Sequence, residues 1–346
     1  PDFKTMNSTD LEHYAANMWH KRVHGEWQWI NGTAYMIPGG AWFFFNFWTT
    51  TKGERPKFRL EALEFFWFWY LYVEKTPSVT GCLIIKCRRI GDSEKVLCIM
   101  YERTTRYFNY PGGMQSYTDE EAKKAFERIV RSHKKMPFFF KPKHSGTMSE
   151  ELKFHRPSEV VTVKKLKEAR GEVIESSDGE FLDSSISYRA TVNLAYDGQV
   201  LGTYVMDECA KIPHYKMNIR LQYDNIRRVL TLNNGMTAVG KALFLSTVEE
   251  KSENDPDNST VEMAEKLWDD SDPNNLNGNG QTKTGLVRIF RGYEKNAQID
   301  EYGFPKIEEA RKYRQNQIDT LLKDQNYSEL LSLYRKEPET VQEAFS

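Results

Sequence analysis

Short apolar runs and amphipathic stretches alternate through the middle of the chain. Cys82-Leu-Ile-Ile85 is an apolar, β-branched run that ends at a basic turn, Lys86-Cys-Arg-Arg-Ile-Gly91. Residues 93–101 then read as a helix, with Val96, Leu97 and Met100 on one face. Further strand candidates follow at 160–163, 190–194, 202–206 and 242–245, and helical stretches such as 119–131 separate several of them. Strands alternating with helices in this way predict an α/β fold with a largely parallel sheet.

The two ends differ from this middle. Seven of the eight Trp precede residue 70. They predict an aromatic core for a small N-terminal subdomain, with a stacking platform for a base as the alternative. Trp29-Ile-Asn-Gly32 and Ile37-Pro-Gly-Gly40 are turn signals between short strand-like runs. Residues 249–282 are polar and turn-rich, interrupted by a short helix starting near Ser259. Beyond Pro305 the chain becomes Lys/Glu/Leu-rich and reads as helices at 307–322 and 327–334. The organisation expected is a subdomain over 1–80, a core over 81–305 and a helical linker over 306–346 that leads toward a further domain. Thr340-Val-Gln-Glu343 reads as a capping box, and the chain is expected to be part of something longer.

Composition narrows the classes. With 346 residues there is length for a sizeable core, and 48 basic against 49 acidic residues leave no global field for nucleic acid or membrane. Any DNA contact must be local. The longest apolar runs, 41–45 and 65–73, fall short of the roughly 20 residues a spanning helix needs. The four cysteines, Cys82, Cys87, Cys98 and Cys209, form no CxxC pair and read as thiols rather than as a disulfide framework or zinc site.

A phosphate-binding loop needs backbone N–H groups around an anion at a helix start, a cation on the phosphates and a hydroxyl for Mg²⁺. Lys86-Cys-Arg-Arg-Ile-Gly91-Asp92-Ser93 fits the G-x-x-x-x-G-K-[ST] frame at Gly91 and Ser93. Lys86 stands at the first Gly position and Asp92 at the Lys position, and Lys86, Arg88 or Arg89 can supply the cation. Taken alone, the octet reads more readily as a basic turn between strand and helix. The second element is the strand candidate ending in Asp207-Glu208, two adjacent carboxylates suited to orienting a metal shell and activating water. A third strand candidate ends in Ser246-Thr247, small hydroxyls that could sense a γ-phosphate beside those carboxylates.

With these three pieces in place, the sequence resembles the large terminase subunit of tailed bacteriophages, the ATPase motor that packages DNA. The resemblance runs from Trp29-Ile-Asn-Gly-Thr-Ala-Tyr-Met-Ile-Pro38 to Glu343-Ala-Phe. It is carried most specifically by 86–93, Asp207-Glu-Cys-Ala-Lys211 and Phe244-Leu-Ser-Thr-Val-Glu249. Thr284-Gly-Leu-Val-Arg288 and Asp300-Glu-Tyr-Gly-Phe-Pro305 add to the set. Some members place the loop Lys at the first position, as here. The resemblance implies a RecA-like P-loop (ASCE) ATPase core using ATP and Mg²⁺. Lys86, Cys87, Arg88, Arg89, Ile90, Gly91, Asp92 and Ser93 would form the phosphate loop, and Ser93 and Asp207 would hold the metal. Glu208 would be the catalytic carboxylate, Ser246 and Thr247 the coupling motif, and 29–38 the segment near adenine. It further implies double-stranded DNA, a portal protein and a small terminase subunit as partners. A homo-oligomeric ring would act in the host cytoplasm, transiently on the procapsid portal.

Two departures shape the alternatives. Asp92 would repel a triphosphate unless a cation such as Lys95 neutralises it, so a non-hydrolysing nucleotide- or DNA-binding module is the rival, as is another P-loop motor such as a helicase. No spaced acidic set after Pro305 could hold the two metals of a nuclease. Residues 133–144 mix cations with aromatics, as a DNA-contacting loop would, or form a solvated basic loop. Arg288 and Arg291 read as surface arginines or as arginine fingers, a role also open to Arg88 and Arg89.

Overall fold

A computed structural model describes residues 6–155, 181–232, 237–248 and 259–346. Helix α1 (Ser8–His24) precedes a hairpin of β1 (Glu26–Ile30) and β2 (Thr33–Ile37), then α2 (Gly39–Phe47), α3 (Leu60–Trp67) and a π-helical turn over Phe68–Val73. The core follows as β3 (Gly81–Lys86), α4 (Asp92–Thr104), β4 (Gly112–Ser116), α5 (Asp119–Lys135), β5 (Glu151–Lys153), β6 (Ser185–Tyr188) and β7 (Thr203–Asp207). It continues with α6 (Ile219–Val229), the short pair β8 (Thr231–Leu232) and β9 (Thr237–Ala238), β10 (Lys241–Ser246), α7 (Ser259–Asp269) and β11 (Leu286–Arg291). Helices α8 (Ile307–Lys323), α9 (Tyr327–Lys336) and α10 (Val341–Ala344) end the chain as described.

Seven strands form the central sheet in the order β11-β3-β10-β7-β4-β6-β5. All neighbours are parallel except the edge pair β5–β6. Taking the first five in spatial order, their sequence order is fifth, first, fourth, third, second, which is the RecA-like arrangement. The expected α/β core with a largely parallel sheet is what the chain forms.

Side chains alternate across each central strand and feed two cores, as a sheet covered on both faces requires. Cys82, Ile84, Val205, Leu243 and Leu245 pack with α4, α5 and the aromatics of α2 and α3. Leu83, Ile85, Tyr204, Met206 and Phe244 pack on the other face with α6 and α7. Trp42, Trp48 and Trp69 are buried in the first of these cores, whereas Trp27 and Trp29 stand exposed on the hairpin. All four cysteines are buried free thiols.

The strand expected at 190–194 is a turn. Leu194 has φ 62°, Val192 and Leu194 are about half exposed, and the Thr191 N–H donates to Asp119 rather than to a ladder. The neighbouring strand lies earlier, at Ser185–Tyr188, where it pairs with β4. The expected strand at 160–163 lies outside the described residues, as do residues 249–258 of the turn-rich stretch. Among the described residues, no helix is long and apolar enough to cross a membrane.

Candidate functional site

Register brings the chemistry to one edge of the sheet. Lys86 pairs with Arg291, Ser246 with Ile85, and Asp207 with both Leu245 and Ser116, so these strands end level at their carboxyl ends. In open α/β sheets ligands bind along that edge. The chain leaves β3 through Cys87–Gly91 and enters α4 at Asp92, with Gly91 at φ 84° as the N-cap residue. The first N–H groups of a helix have no partners within it, which makes this end an anion site in outline.

The expected residues meet directly in two groups, one on Glu208 and one on Asp207. The Lys86 ammonium donates to Glu208 Oε1 at 3.0 Å. The Ser93 hydroxyl donates to Asp207 Oδ1 at 3.1 Å. Thr247 closes the other side, its N–H and its hydroxyl donating to Glu208 Oε2 at 3.1 Å and 3.0 Å. Ser246 accepts from the Ala210 N–H at 3.1 Å and so ties the end of β10 to the turn after Glu208. Glu208 itself has φ 54°, a left-handed conformation unusual for a residue with a side chain and concentrated at functional sites.

The two carboxylates are electrostatically unlike. Burial pushes Glu208 up, but Lys86, Lys211 and the Thr247 N–H outweigh it and hold its pKa at about 2. Burial and the Glu208 charge push Asp207 up to about 6, against the pull of Lys86 and Ser93. Lys86 is itself raised, because the attraction of Glu208 and Asp207 exceeds the cost of its burial. Glu208 is therefore the settled anion of the pair, while Asp207 is a carboxylate in want of a cation. Ser93 and Asp207 present a hydroxyl and a carboxylate oxygen side by side, the hard donors that Mg²⁺ takes. Together they could contribute two ligands to a divalent cation.

The rest of the loop is placed differently. Arg88 and Arg89 are exposed, and Arg89 has φ 63°. The Arg88 N–H donates to Lys336 O at 2.8 Å and the Cys87 N–H to Arg291 O at 2.9 Å. Cys87 and Ile90 are buried against Tyr293 and Ala310. Asp92 does not face the loop mouth: its carboxylate is buried, bonded to Lys95 at 2.8 Å and close to Arg291 at 3.4 Å. Burial raises it, but Arg291 and Lys95 prevail and hold it at about 2. Asp92 is thus paired with Lys95, as expected, and with Arg291 as well. Arg291 is neither a surface arginine nor free to act as a finger, since it is buried between Glu61 and Asp92. Arg288 pairs with Asp272 at 2.6 Å and lies over the Trp268 ring.

Two participants escaped the motif reading. Lys211 sits 3.2 Å from Glu208 Oε2, a contact its i+3 spacing within 207–211 could have suggested. Glu61, on α3, has no local signal at all. The segment 29–38 forms the β1–β2 hairpin and the entry to α2, held to α3 by Trp67 donating to Met36 O at 2.7 Å. The basic stretch 133–144 is partly interior: His133 is buried and takes a hydrogen bond from or gives one to Tyr101 at 3.0 Å, while Lys134 and Lys143 are exposed.

No family model matches the chain, and no curated protein matches it. Among solved structures, the chain is similar to the large terminase ATPase domain of Thermus phage P74-26, at 14% identity over 71% of this chain and 84% of that one, with a TM-score of 0.44. It is similar to the large terminase of bacteriophage HK97 at 12% identity, covering 82% of this chain and 52% of that one, with a TM-score of 0.46. The large terminase of a thermophilic bacteriophage, in complex with ADP, is similar at 11% identity, covering 74% of this chain and 50% of that one, with a TM-score of 0.36.

Proposed function

We propose that the chain is an ATP-hydrolysing motor subunit of the DNA-packaging type, with residues 81–305 as its ATPase core. The observation that carries the reading is the pairing of Lys86 with Glu208 across the ends of β3 and β7, with Thr247 on the second carboxylate oxygen. A cation from the phosphate loop, a carboxylate for water and a hydroxyl sensor are thus assembled at one point.

Lys86 is the hinge of the mechanism. Incoming phosphates compete with Glu208 for its ammonium, and Lys86 moves from one anion to the other. Glu208 then loses its strongest attraction, becomes more basic and can take the proton of the attacking water. The backbone N–H groups at the start of α4 would hold phosphate oxygens, and Ser93 and Asp207 would hold Mg²⁺. Mg²⁺, when bound, supplies charge neutralisation on the phosphates. Burial and the Glu208 charge raise the Asp207 pKa, and Mg²⁺ would favour its ionised form. Thr247, bonded to Glu208 through two donors, reports the change at that carboxylate to β10. Movement of the 246–247 segment is the step we assign to DNA translocation.

Against the rival of a site disabled by Asp92 stands the burial of that carboxylate between Lys95 and Arg291. Action on double-stranded DNA, assembly as a ring, a portal, a small terminase subunit and a place on the procapsid in the host cytoplasm complete the proposal on the resemblance in sequence. The test is phosphate release from ATP by the chain with and without linear duplex DNA. A DNA-dependent rise of severalfold is expected. Turnover indifferent to DNA at every salt concentration from about 50 to 200 mM, a range chosen because phosphate contacts are salt-sensitive, would remove the motor reading and leave a plain ATPase.

A further inference from the structure

Beneath the phosphate loop lies a charged cluster that the chemistry above does not use. Glu61 from α3, Asp92 and Lys95 from α4 and Arg291 from the end of β11 have side chains at most 3% exposed. Lys95 reaches Glu61 at 2.9 Å and Asp92 at 2.8 Å, and Arg291 pairs with the same two carboxylates. Two anions meet two cations, so the cluster is neutral and adds no net repulsion to an anion site above it. Ion clusters this dry hold their members in fixed geometry, because breaking one contact leaves an uncompensated buried charge.

Lys95 makes one more bond. Its ammonium donates to Ile90 O at 3.1 Å, the carbonyl of the peptide that precedes Gly91. In a trans peptide the C=O and the following N–H point in opposite directions. With the Ile90 carbonyl drawn inward to Lys95, the Gly91 N–H is turned outward. Gly91 is in the left-handed region, and a Cβ there would meet nothing within 4 Å, so glycine is required by backbone conformation and the space beside it is open.

We propose that Lys95, braced by Glu61, Asp92 and Arg291, is a positioning residue that locks the Ile90–Gly91 peptide with its N–H aimed at a bound phosphate. The inference rests on the nucleotide reading above and deepens it. It assigns a reason to the aspartate at the position where the common loop has lysine: Asp92 belongs to the brace, and Lys86 supplies the cation on the phosphates from the other end of the loop. Helix α3, which precedes the sheet in the chain, thereby becomes a structural part of the phosphate site through Glu61.

Ile90–Gly91 is the one Ile-Gly pair in the sequence. Carbonyl-¹³C isoleucine with ¹⁵N glycine therefore isolates this peptide in a carbonyl-filtered amide spectrum of the full chain. On titration with ATP and Mg²⁺, its amide proton should move downfield and saturate with the same Kd as binding followed by a fluorescent ATP analogue. Asp92→Asn combined with Lys95→Met keeps the cluster neutral and removes the brace. It should weaken ATP binding about tenfold or more, the loss of one charge-assisted hydrogen bond, and Lys95→Arg should retain most of the affinity. ATP binding with the labelled amide unmoved, or with affinity unchanged in the folded double variant, overturns the proposal alone. Should the double variant not fold, the labelled signal of the unaltered chain decides. No ATP binding by the unaltered chain overturns the nucleotide reading and this one with it.

Discussion

Replacing Glu208 by Gln is expected to lower ATP turnover by about two to four orders of magnitude, the worth of a positioned proton acceptor, while leaving ATP binding intact. The amide is the same shape and can still accept from the Thr247 N–H and hydroxyl, which lie 3.1 Å and 3.0 Å from Glu208 Oε2. It cannot take a proton from water. It also gives up the ion pair with Lys86, now 3.0 Å away, so Lys86 no longer has to leave an anion to meet phosphate. Affinity for ATP should consequently hold or improve. Steady-state phosphate release beside equilibrium nucleotide binding checks both halves. Unchanged turnover would remove Glu208 from the chemistry, and lost binding with lost turnover would make it a structural counterion of Lys86.

The second large effect concerns stability. Arg291→Met leaves Glu61 and Asp92 buried with Lys95 as their remaining cation in the cluster. Removing one partner from a buried ion cluster costs about 3–5 kcal/mol. With an unfolding entropy of about 2.1 cal/mol/K per residue, that corresponds to a fall in Tm of about 4–7 °C. Arg288→Met is the control on the same strand. Its partners Asp269 and Asp272 are 72% and 25% exposed, and such pairs contribute up to about 1 kcal/mol. Calorimetry on the two variants should separate them clearly. Equal, small losses would mean that the Glu61–Asp92–Lys95–Arg291 cluster does not brace the loop.

The parts of the fold that the sequence announces are those whose local pattern is also their tertiary environment. β3, β7 and β10 are apolar runs ending in polar residues, and each was legible to within a residue or two because a strand buried on both faces is apolar throughout. β4 was not. Its Gly112-Gly113-Met114-Gln115-Ser116 has weak strand propensity, and it is buried because large side chains from elsewhere fill the space the glycines leave. A Cβ on Gly112 would meet Met100 at 2.8 Å, and one on Gly113 would meet Tyr196 at 2.8 Å. Nothing local encodes that. At 190–194 the opposite happened, where apolar residues suggested a strand and the chain makes an exposed turn.

The candidate site divides in the same way. Lys86, Ser93, Asp207, Glu208, Ser246 and Thr247 stand at strand ends and a helix start, so reading the strands also located them. The pairing of Asp92 with Lys95 was legible at i+3. The rest of its setting was not, because it depends on Arg291, 199 residues away, and on a cluster completed by Glu61 from the aromatic region. The sequence placed Arg291 beside an apolar run, which suggested display at the surface. That run is β11, next to β3 in the sheet, and its last residue turns inward at the level of the loop after β3.

The most direct test of a nucleotide site at this edge of the sheet is equilibrium binding of ATP to the unaltered chain with Mg²⁺, set against Lys86→Ala. One saturable site per chain, strongly weakened by the substitution and by removal of Mg²⁺, is the predicted result. Absence of saturable ATP binding at millimolar nucleotide, or binding indifferent to Lys86, would contradict it.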